Sequence, residues 1–186
     1  MTAWIRTLDL DDADEALRAV YERVVSSRGK LSDIMRVQSL APAVMAAHLD
    51  LYMAIMFGRS PLSRLDGEAI ACVVSAANGC AYCTAHHRAA LLAHWRDADA
   101  VDRFIADPLD AAPDARLRAL AAYALKLTRS VHDMDEDDVS ALRAAGLDDE
   151  AILHTAFVTA YFNFVNRLAE GLGIAPQPDE VGGYRY

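Results

Sequence analysis

Two cysteines near the middle of the chain form a C-x-x-C pair, and a histidine and a glutamate lie on either side of them. Cys80 and Cys83 are followed by His87, four residues after the second thiol, and are preceded by Glu68. A close dithiol can cycle between its reduced form and a disulfide, and an imidazole one helical turn away can take up or return a thiol proton. These four residues therefore predict thiol redox chemistry.

The residues alone leave open which cysteine is the nucleophile. If a helix begins near Cys80, the spacing places Cys80, Cys83 and His87 on one face. The helix dipole favours a thiolate at the helix start and so favours Cys80, whereas the neighbouring imidazole favours Cys83. Glu68 lies on the preceding helix. If the turn at residues 78–79 folds the two helices together, we expect Glu68 to orient His87 directly or through water.

The same residues admit two other interpretations. A structural zinc site could combine the thiols with His86, His87 and Glu68, although zinc commonly takes two separated ligand pairs and no second C-x-x-C pair is present. Alternatively, the two thiols are inert. Cys72, the third cysteine, lies in an apolar segment, which favours a small buried thiol over a redox role.

Polar residues elsewhere in the chain are weaker candidates. His48 is expected to be packed or to face a partner rather than to act as a ligand. Arg167, Asn163 and Asn166 in the last helix either line a pocket or tie that helix to its neighbours.

Composition and charge exclude several classes of function. The chain has 186 residues, 54% of them hydrophobic and 24% charged, which predicts one globular domain with a substantial core. The net charge of −9 argues against nonspecific binding to nucleic acids or anionic membranes. Neither a run of ~18 apolar residues nor a secretory signal is found, and three cysteines are too few for a disulfide framework. We therefore expect a cytoplasmic protein.

Helical patterns recur along the whole chain, and strand patterns are nearly absent, so the predicted fold is a single all-α domain over residues 1–186. Residues 176–186 are expected to form a C-terminal arm rather than a packed element. The helix from Pro42 to Phe57 is apolar on nearly all sides, which predicts that a subunit interface covers it. The predicted helices cover residues 11–26, 32–40, 42–57, 63–78, 80–94, 97–105, 113–129, 135–144 and a long segment after residue 148.

The motif Glu-x11-Cys-x2-Cys-x3-His, with Asn78-Gly79 before the first cysteine, resembles the alkylhydroperoxidase D-like family within the carboxymuconolactone decarboxylase superfamily. The peroxidase-related branch is most similar, and residues 29–37 with Pro42 and residues 161–169 agree with it. The resemblance implies an all-helical fold, trimers or hexamers, and reduction of hydroperoxides.

The resemblance also implies a role for each residue of the motif. By that resemblance Cys83 is the peroxidatic cysteine and Cys80 the resolving one, while His87 and Glu68 form a proton relay. One position departs from the pattern, because Tyr82 stands where better-characterised members carry a histidine. Tyrosine titrates near ~10 and is no base at neutral pH. His86 could compensate, although on a helix it points roughly 100° away from His87.

Three functions follow from these observations. The first is a thiol-dependent hydroperoxide reductase with an antioxidant role. Its electrons would come from an external dithiol or thiol protein, since no G-x-G-x-x-G signature for a nucleotide cofactor is present. We expect no cofactor and no resident metal. The second is a decarboxylase-like enzyme of the same superfamily, and the third is a non-enzymatic oligomer that responds to redox state or metal.

Overall fold

The regular elements of the protein are helical throughout the residues that the structure describes. The structure is a computed structural model, and it describes residues 3–184. The prediction of an all-α fold is confirmed over this range. Short 3-10 helices cover Leu10–Asp12 and Val131–Asp133. The α-helices are α1 (Glu15–Arg28), α2 (Asp33–Arg36), α3 (Pro42–Phe57), α4 (Arg64–Ala77), α5 (Ala81–Trp95), α6 (Ala98–Ala106), α7 (Ala115–Arg129), α8 (Glu136–Ala144), α9 (Asp149–Gly171) and α10 (Pro178–Val181).

Most predicted helix limits agree with the structure to within two residues, because capping side chains mark the ends of the helices. The first helix is an exception. It begins at Glu15 rather than Asp11, since the Asp14 carboxylate accepts a hydrogen bond from Leu17 N at 2.8 Å and so caps the helix there. The predicted helix over residues 32–40 is also shorter, with a single helical turn in α2 followed by hydrogen-bonded turns over residues 37–40.

Helix α4 is the centre of the core and packs against α5, α7 and α9. A capping box fixes its start: Ser63 Oγ accepts from Asp66 N at 3.1 Å, and the Asp66 carboxylate accepts from Ser63 N at 2.9 Å. All residues from Asp66 to Ser75 are buried. A helix that is apolar on most sides must be covered on most sides, and this one carries Glu68 into the interior.

A second cluster of buried side chains joins α1 to α3. Leu17, Tyr21 and Val24 of α1 pack against Met45 and Leu49 of α3. Of the two, α3 packs against α9, and both helices contribute side chains to the wall of the functional site.

The C-terminal segment packs against the body of the protein, so the prediction of an unpacked arm over residues 176–186 is wrong for the part that is described. The Glu180 side chain is buried. Lys30 Nζ donates hydrogen bonds to the carbonyl oxygens of Asp179, Glu180 and Gly182 at 2.6, 2.9 and 3.3 Å. Residues 185–186 of this segment lie outside the described range.

None of the helices within residues 3–184 combines the length and the apolar content that a bilayer-spanning segment requires.

Candidate active site

A tight turn between α4 and α5 brings the C-x-x-C pair against α4. Gly79 has φ +70°, in the left-handed region that glycine adopts without strain, and Cys80 N donates to Ser75 O at 3.0 Å. Cys80 is the N-cap of α5, so the helix begins at Ala81 rather than at Cys80 as predicted. Cys83 N donates to Cys80 Sγ at 3.4 Å, and both thiols are free and buried. The two sulfur-bearing residues are therefore direct neighbours at the helix start.

Glu68 contacts His87 directly, without an intervening water. The His87 Nδ1 and Glu68 Oε2 atoms are 2.7 Å apart, and Arg64 Nη2 approaches Glu68 Oε1 at 2.5 Å. Glu68 is only 1% exposed. The carboxylate thus bridges a guanidinium and an imidazole inside the core.

The charge of Glu68 determines the hydrogen-bonding roles of His87. Burial would raise the pKa of Glu68, but the attraction and hydrogen bond of His87, and then Arg64 and Arg28, outweigh it and hold the pKa below its usual value. An ionised carboxylate only accepts hydrogen bonds, so His87 Nδ1 carries a hydrogen and donates it. Nε2 is then the ring nitrogen left to accept a proton from another group.

The Cys83 thiol is protonated in the resting site. Its hydrogen bond with Cys80 and its burial raise the pKa of Cys83, while the Asn166 amide lowers it. A neutral thiol is a poor nucleophile, so chemistry at Cys83 requires a base to remove its proton. His87 is one helical turn away and lines the same cavity.

The polar side chains of α9 tie that helix to the end of α4. Asn78 Nδ2 donates to the Asn163 and Asn166 side-chain oxygens at 3.1 and 2.9 Å, and Asn166 Nδ2 donates to Ser75 Oγ at 3.2 Å. Arg167 Nη1 donates to the backbone and side-chain oxygens of Asn163 on the same helix, at the surface. The two asparagines therefore connect α9 to its neighbours, which is one of the two roles expected for them. Asn166 also interacts with Cys83.

Tyr82 and His86 are both bound to the C-terminal segment. Tyr82 Oη donates to Glu180 Oε1 at 3.1 Å and accepts from Ile34 N at 3.2 Å, and His86 Nε2 lies 2.5 Å from Glu180 Oε2. Tyr184 Oη donates to the same carboxylate at 2.6 Å. Burial would raise the pKa of Glu180, but the hydrogen bond and charge interaction with His86, and then the hydrogen bonds from Tyr184 and Asp33 N, bring it down to about 2. Tyr82 and His86 thus bind Glu180 rather than Glu68.

A cavity of about 100 Å³ lies between these groups. His87, Cys83 and Glu68 line it together with Tyr82 and His86, and Tyr184 of the C-terminal segment also contributes. Cys80 is not among the lining residues. The remaining wall is mostly apolar and aromatic, formed by residues that include Ile34, Met35, Leu49, Tyr52, Ala90, Tyr161, Phe162 and Val165.

A second histidine, His48, stands in the wall formed by α3. His48 is buried, and as expected it is packed: Nδ1 lies 3.0 Å from Gln38 Oε1, and Nε2 lies 2.7 Å from Tyr161 Oη. Burial lowers the pKa of His48 to about 4, so the ring is neutral at neutral pH.

Several residues of the site were not found from the sequence. Arg64 could have been found, because it precedes Glu68 by four residues on one helix and so faces it. Glu180 and Tyr161 carry no such local signal, since their partners Tyr82 and His48 are 98 and 113 residues away in the chain. Only the folded structure brings these pairs together.

The zinc interpretation finds no support in the geometry. Within residues 3–184, no group of three or more histidine, cysteine, aspartate or glutamate side chains is arranged to hold a metal ion. Cys72, in turn, is fully buried in α4, as expected for a structural thiol.

Comparison with known proteins gives matches over most of the chain. The sequence profile described as the carboxymuconolactone decarboxylase family matches residues 42–126. No curated protein gives a significant match.

Two solved structures are similar over nearly the whole chain. An alkylhydroperoxidase D core, an uncharacterised peroxidase-related protein from Ralstonia eutropha JMP134, is 26% identical with a TM-score of 0.88. A peroxidase-related protein from Silicibacter sp. TM1040 is 28% identical, also with a TM-score of 0.88. In both comparisons the match covers 97% of this chain and 95% of the other.

The fold also occurs in a protein with different chemistry. The debrominase Bmp8, in complex with 2,3,4-tribromopyrrole, is 20% identical with a TM-score of 0.78, and the match covers 98% of this chain and 99% of the other. At this identity the likeness extends to the fold alone.

Proposed function

Because the chain belongs to the superfamily of alkylhydroperoxidase D-like and carboxymuconolactone decarboxylase proteins, we propose that it is a thiol-dependent peroxidase that reduces organic hydroperoxides. Cys83 is the peroxidatic cysteine, Cys80 the resolving cysteine, and His87 with Glu68 the proton relay. The observation that carries this proposal is the direct contact of buried Glu68 with His87 beside a cavity that Cys83 lines.

Access to the cavity supports Cys83 as the peroxidatic cysteine. The helix start favours charge on Cys80, whose sulfur accepts the Cys83 N–H. Cys80, however, is 0% exposed and does not line the cavity, whereas Cys83 does. A peroxide in the cavity therefore meets Cys83 first, and His87 provides the base that this thiol needs.

The reaction proceeds in three balanced steps. His87 Nε2 first removes the Cys83 proton, and the resulting thiolate attacks the terminal oxygen of ROOH. The O–O bond breaks to give a sulfenic acid on Cys83 and an alkoxide RO⁻. The alkoxide then takes the proton from His87 and leaves as the alcohol. The Cys80 thiol then attacks the sulfenic sulfur, forming the Cys80–Cys83 disulfide and water. Finally an external dithiol reduces the disulfide and is itself oxidised.

The donor and the assembly complete the proposal. The reductant is a small dithiol or a thiol protein of the cytoplasm, and the working form is a trimer or a hexamer. Exposed apolar side chains support self-association, since α3 and α9 leave Val44, Leu51, Phe157 and Phe164 between 44% and 60% exposed.

Steady-state peroxide consumption with a regenerating dithiol tests the proposal. Cys83→Ser is expected to abolish turnover, while Cys80→Ser is expected to undergo one oxidation and to accumulate sulfenic acid, detectable by mass spectrometry. Cys72→Ser is the matched control, because that thiol lies outside the cavity, and turnover should persist. The opposite pattern for Cys80 and Cys83 would reverse the assigned roles. Absence of peroxide turnover in the wild type would favour a decarboxylase-like or non-enzymatic function.

A further inference from the structure

The hydrogen-bond chain from Gln38 through His48 to Tyr161 has a fixed direction. Gln38 Nε2 donates to Ile34 O at 2.7 Å, so Gln38 Oε1 is the atom that faces His48 and accepts from its Nδ1. A neutral imidazole carries one hydrogen, which places it on Nδ1 and leaves Nε2 as an acceptor. Tyr161 Oη, at 2.7 Å, must therefore donate its hydrogen to His48 Nε2.

This direction leaves the Tyr161 oxygen as an acceptor. Among residues 3–184, none donates a hydrogen bond to it, and Tyr161 lines the cavity. The hydroxyl cannot turn towards the cavity as a donor without leaving His48 Nε2 unpaired in a buried site, which is costly. Burial, with Tyr52 and Cys83 nearby, raises the pKa of Tyr161 well above its usual value, so it stays protonated.

We propose that Tyr161 is the residue that anchors the substrate: its oxygen accepts a hydrogen bond from the O–H of a small organic hydroperoxide whose carbon group fills the apolar part of the cavity. The chemical class of the substrate rests on the proposed function. His48 and Gln38 are positioning residues, because they act only by fixing the Tyr161 hydroxyl. The hydrogen that the hydroperoxide donates to Tyr161 stays on the oxygen that Cys83 attacks. It therefore becomes the hydroxyl hydrogen of the sulfenic acid, and the three steps proposed above are unchanged.

The size and lining of the cavity limit the carbon group. An enclosed cavity of ~150 Å³ holds one benzene molecule. This cavity of about 100 Å³ is partly open to solvent, so it suits a branched four-carbon group or a single ring that lies partly at its mouth. Tyr52 stacks on Tyr161 with ring centroids 5.8 Å apart, and Phe162 meets His87 edge to face at 4.4 Å. These rings provide apolar contacts, and Tyr161 provides the acceptor.

A binding measurement tests the anchor independently of turnover. Phenol and fluorobenzene have nearly the same shape, but only phenol donates a hydrogen bond, so their affinities are compared on the reduced protein by titration followed by NMR. We expect the wild type to bind phenol roughly three- to tenfold more tightly, the usual net effect of one hydrogen bond. In Tyr161→Phe the ratio should fall to about one.

Two further variants separate anchoring from a general change in the cavity. Tyr52→Phe removes another tyrosine hydroxyl from the lining, one that interacts with Arg64, and should keep the wild-type ratio. His48→Leu frees the Tyr161 hydroxyl to rotate and should lower the ratio while leaving the fold intact by circular dichroism. Equal ratios in wild type and Tyr161→Phe, or an equal loss in Tyr52→Phe, would overturn the proposal.

A kinetic measurement then joins the anchor to the reaction. For tert-butyl hydroperoxide, Tyr161→Phe should raise KM several-fold with kcat changed much less, since the hydrogen bond is made both before and during the attack. A fall in kcat at constant KM would overturn the anchoring role. If the wild type turns over no peroxide, the proposed function fails, while the phenol comparison still decides whether Tyr161 is a ligand anchor.

Discussion

Replacing Glu68 with glutamine removes one negative charge from the site and almost nothing else. The wild-type carboxylate accepts from Arg64 at 2.5 Å and from His87 at 2.7 Å. Arg64 is always charged and can only donate, so the amide oxygen of Gln must face it. The amide NH₂ then faces His87 and donates to Nδ1. The hydrogen of a neutral His87 ring moves to Nε2, which can no longer accept the Cys83 proton.

The magnitude of the effect follows from the burial of the pair. Proton transfer by a positioned base is typically worth ~10²–10⁴-fold, so Glu68→Gln should lower kcat/KM for a hydroperoxide by about that factor. Removing one member of a buried ion pair costs roughly 3–5 kcal/mol. Because the amide still accepts from Arg64, we expect the free energy of unfolding to fall by about 3 kcal/mol, the lower end of this range.

The assay compares peroxide consumption and urea unfolding in wild type, Glu68→Gln and Glu22→Gln. Glu22 is exposed on α1, so Glu22→Gln makes the same charge change away from the site and should behave as wild type. If Glu68→Gln is folded and keeps more than half of the wild-type turnover, His87 does not act through Glu68 and the relay is refuted.

Three further predictions concern thiols, pH and assembly. Mild oxidation should remove two titratable thiols per chain by joining Cys80 to Cys83, and retention of all three would contradict the proposed chemistry. The pKa of His48 is about 4 in the folded protein and 6.5 ordinarily. As the pH falls, His48 therefore takes up a proton in the unfolded chain at a higher pH than in the folded chain. Unfolding free energy should therefore drop by about 3 kcal/mol between pH 6.5 and 4, and an equal pH dependence in His48→Leu would refute this origin. Light scattering should give a mass several times 20.2 kDa, and a monomer at micromolar concentration would rule out the proposed assembly.

Local sequence signals were sufficient for the helices and for the central motif. Ser63 caps its own helix and Pro42 suits the first position of the next, whereas the pattern predicts that the first helix begins at Asp11 although Asp14 is the cap. The spacing of Glu68, Cys80 and His87 implies a face and a turn. Even the direct contact of Glu68 with His87 depends mainly on a short turn between adjacent helices.

Contacts between distant segments could not be predicted in the same way. The sequence contains no signal that a glutamate in the last ten residues is buried against α5, because the hydrogen bonds that hold it come from α5, from the start of α2 and from its own segment. The C-terminal residues are rich in proline and glycine, which suggested an unpacked arm. Lys30 and His86 compensate by supplying hydrogen-bond partners that no local pattern reveals.

These distant contacts give Tyr82 a role that differs from proton relay. Its hydroxyl donates to Glu180 of the C-terminal segment and accepts from Ile34 N of α2, so both of its hydrogen-bonding functions are engaged. Burial and then the charge of Glu180 raise the pKa of Tyr82 well above its usual value, which makes it a poor proton carrier.

Tyr82→Phe therefore separates anchoring from relay. It should change kcat less than threefold and should accelerate limited proteolysis of residues 176–184, because loss of a buried hydrogen bond weakens local structure by roughly 1 kcal/mol. Glu180→Gln removes the charge that the same partners bind and should accelerate the cleavage further. If Tyr82→Phe instead lowers turnover a hundredfold with unchanged proteolysis, Tyr82 belongs to the proton relay. In that case the Glu68–His87 pair is not sufficient to activate Cys83.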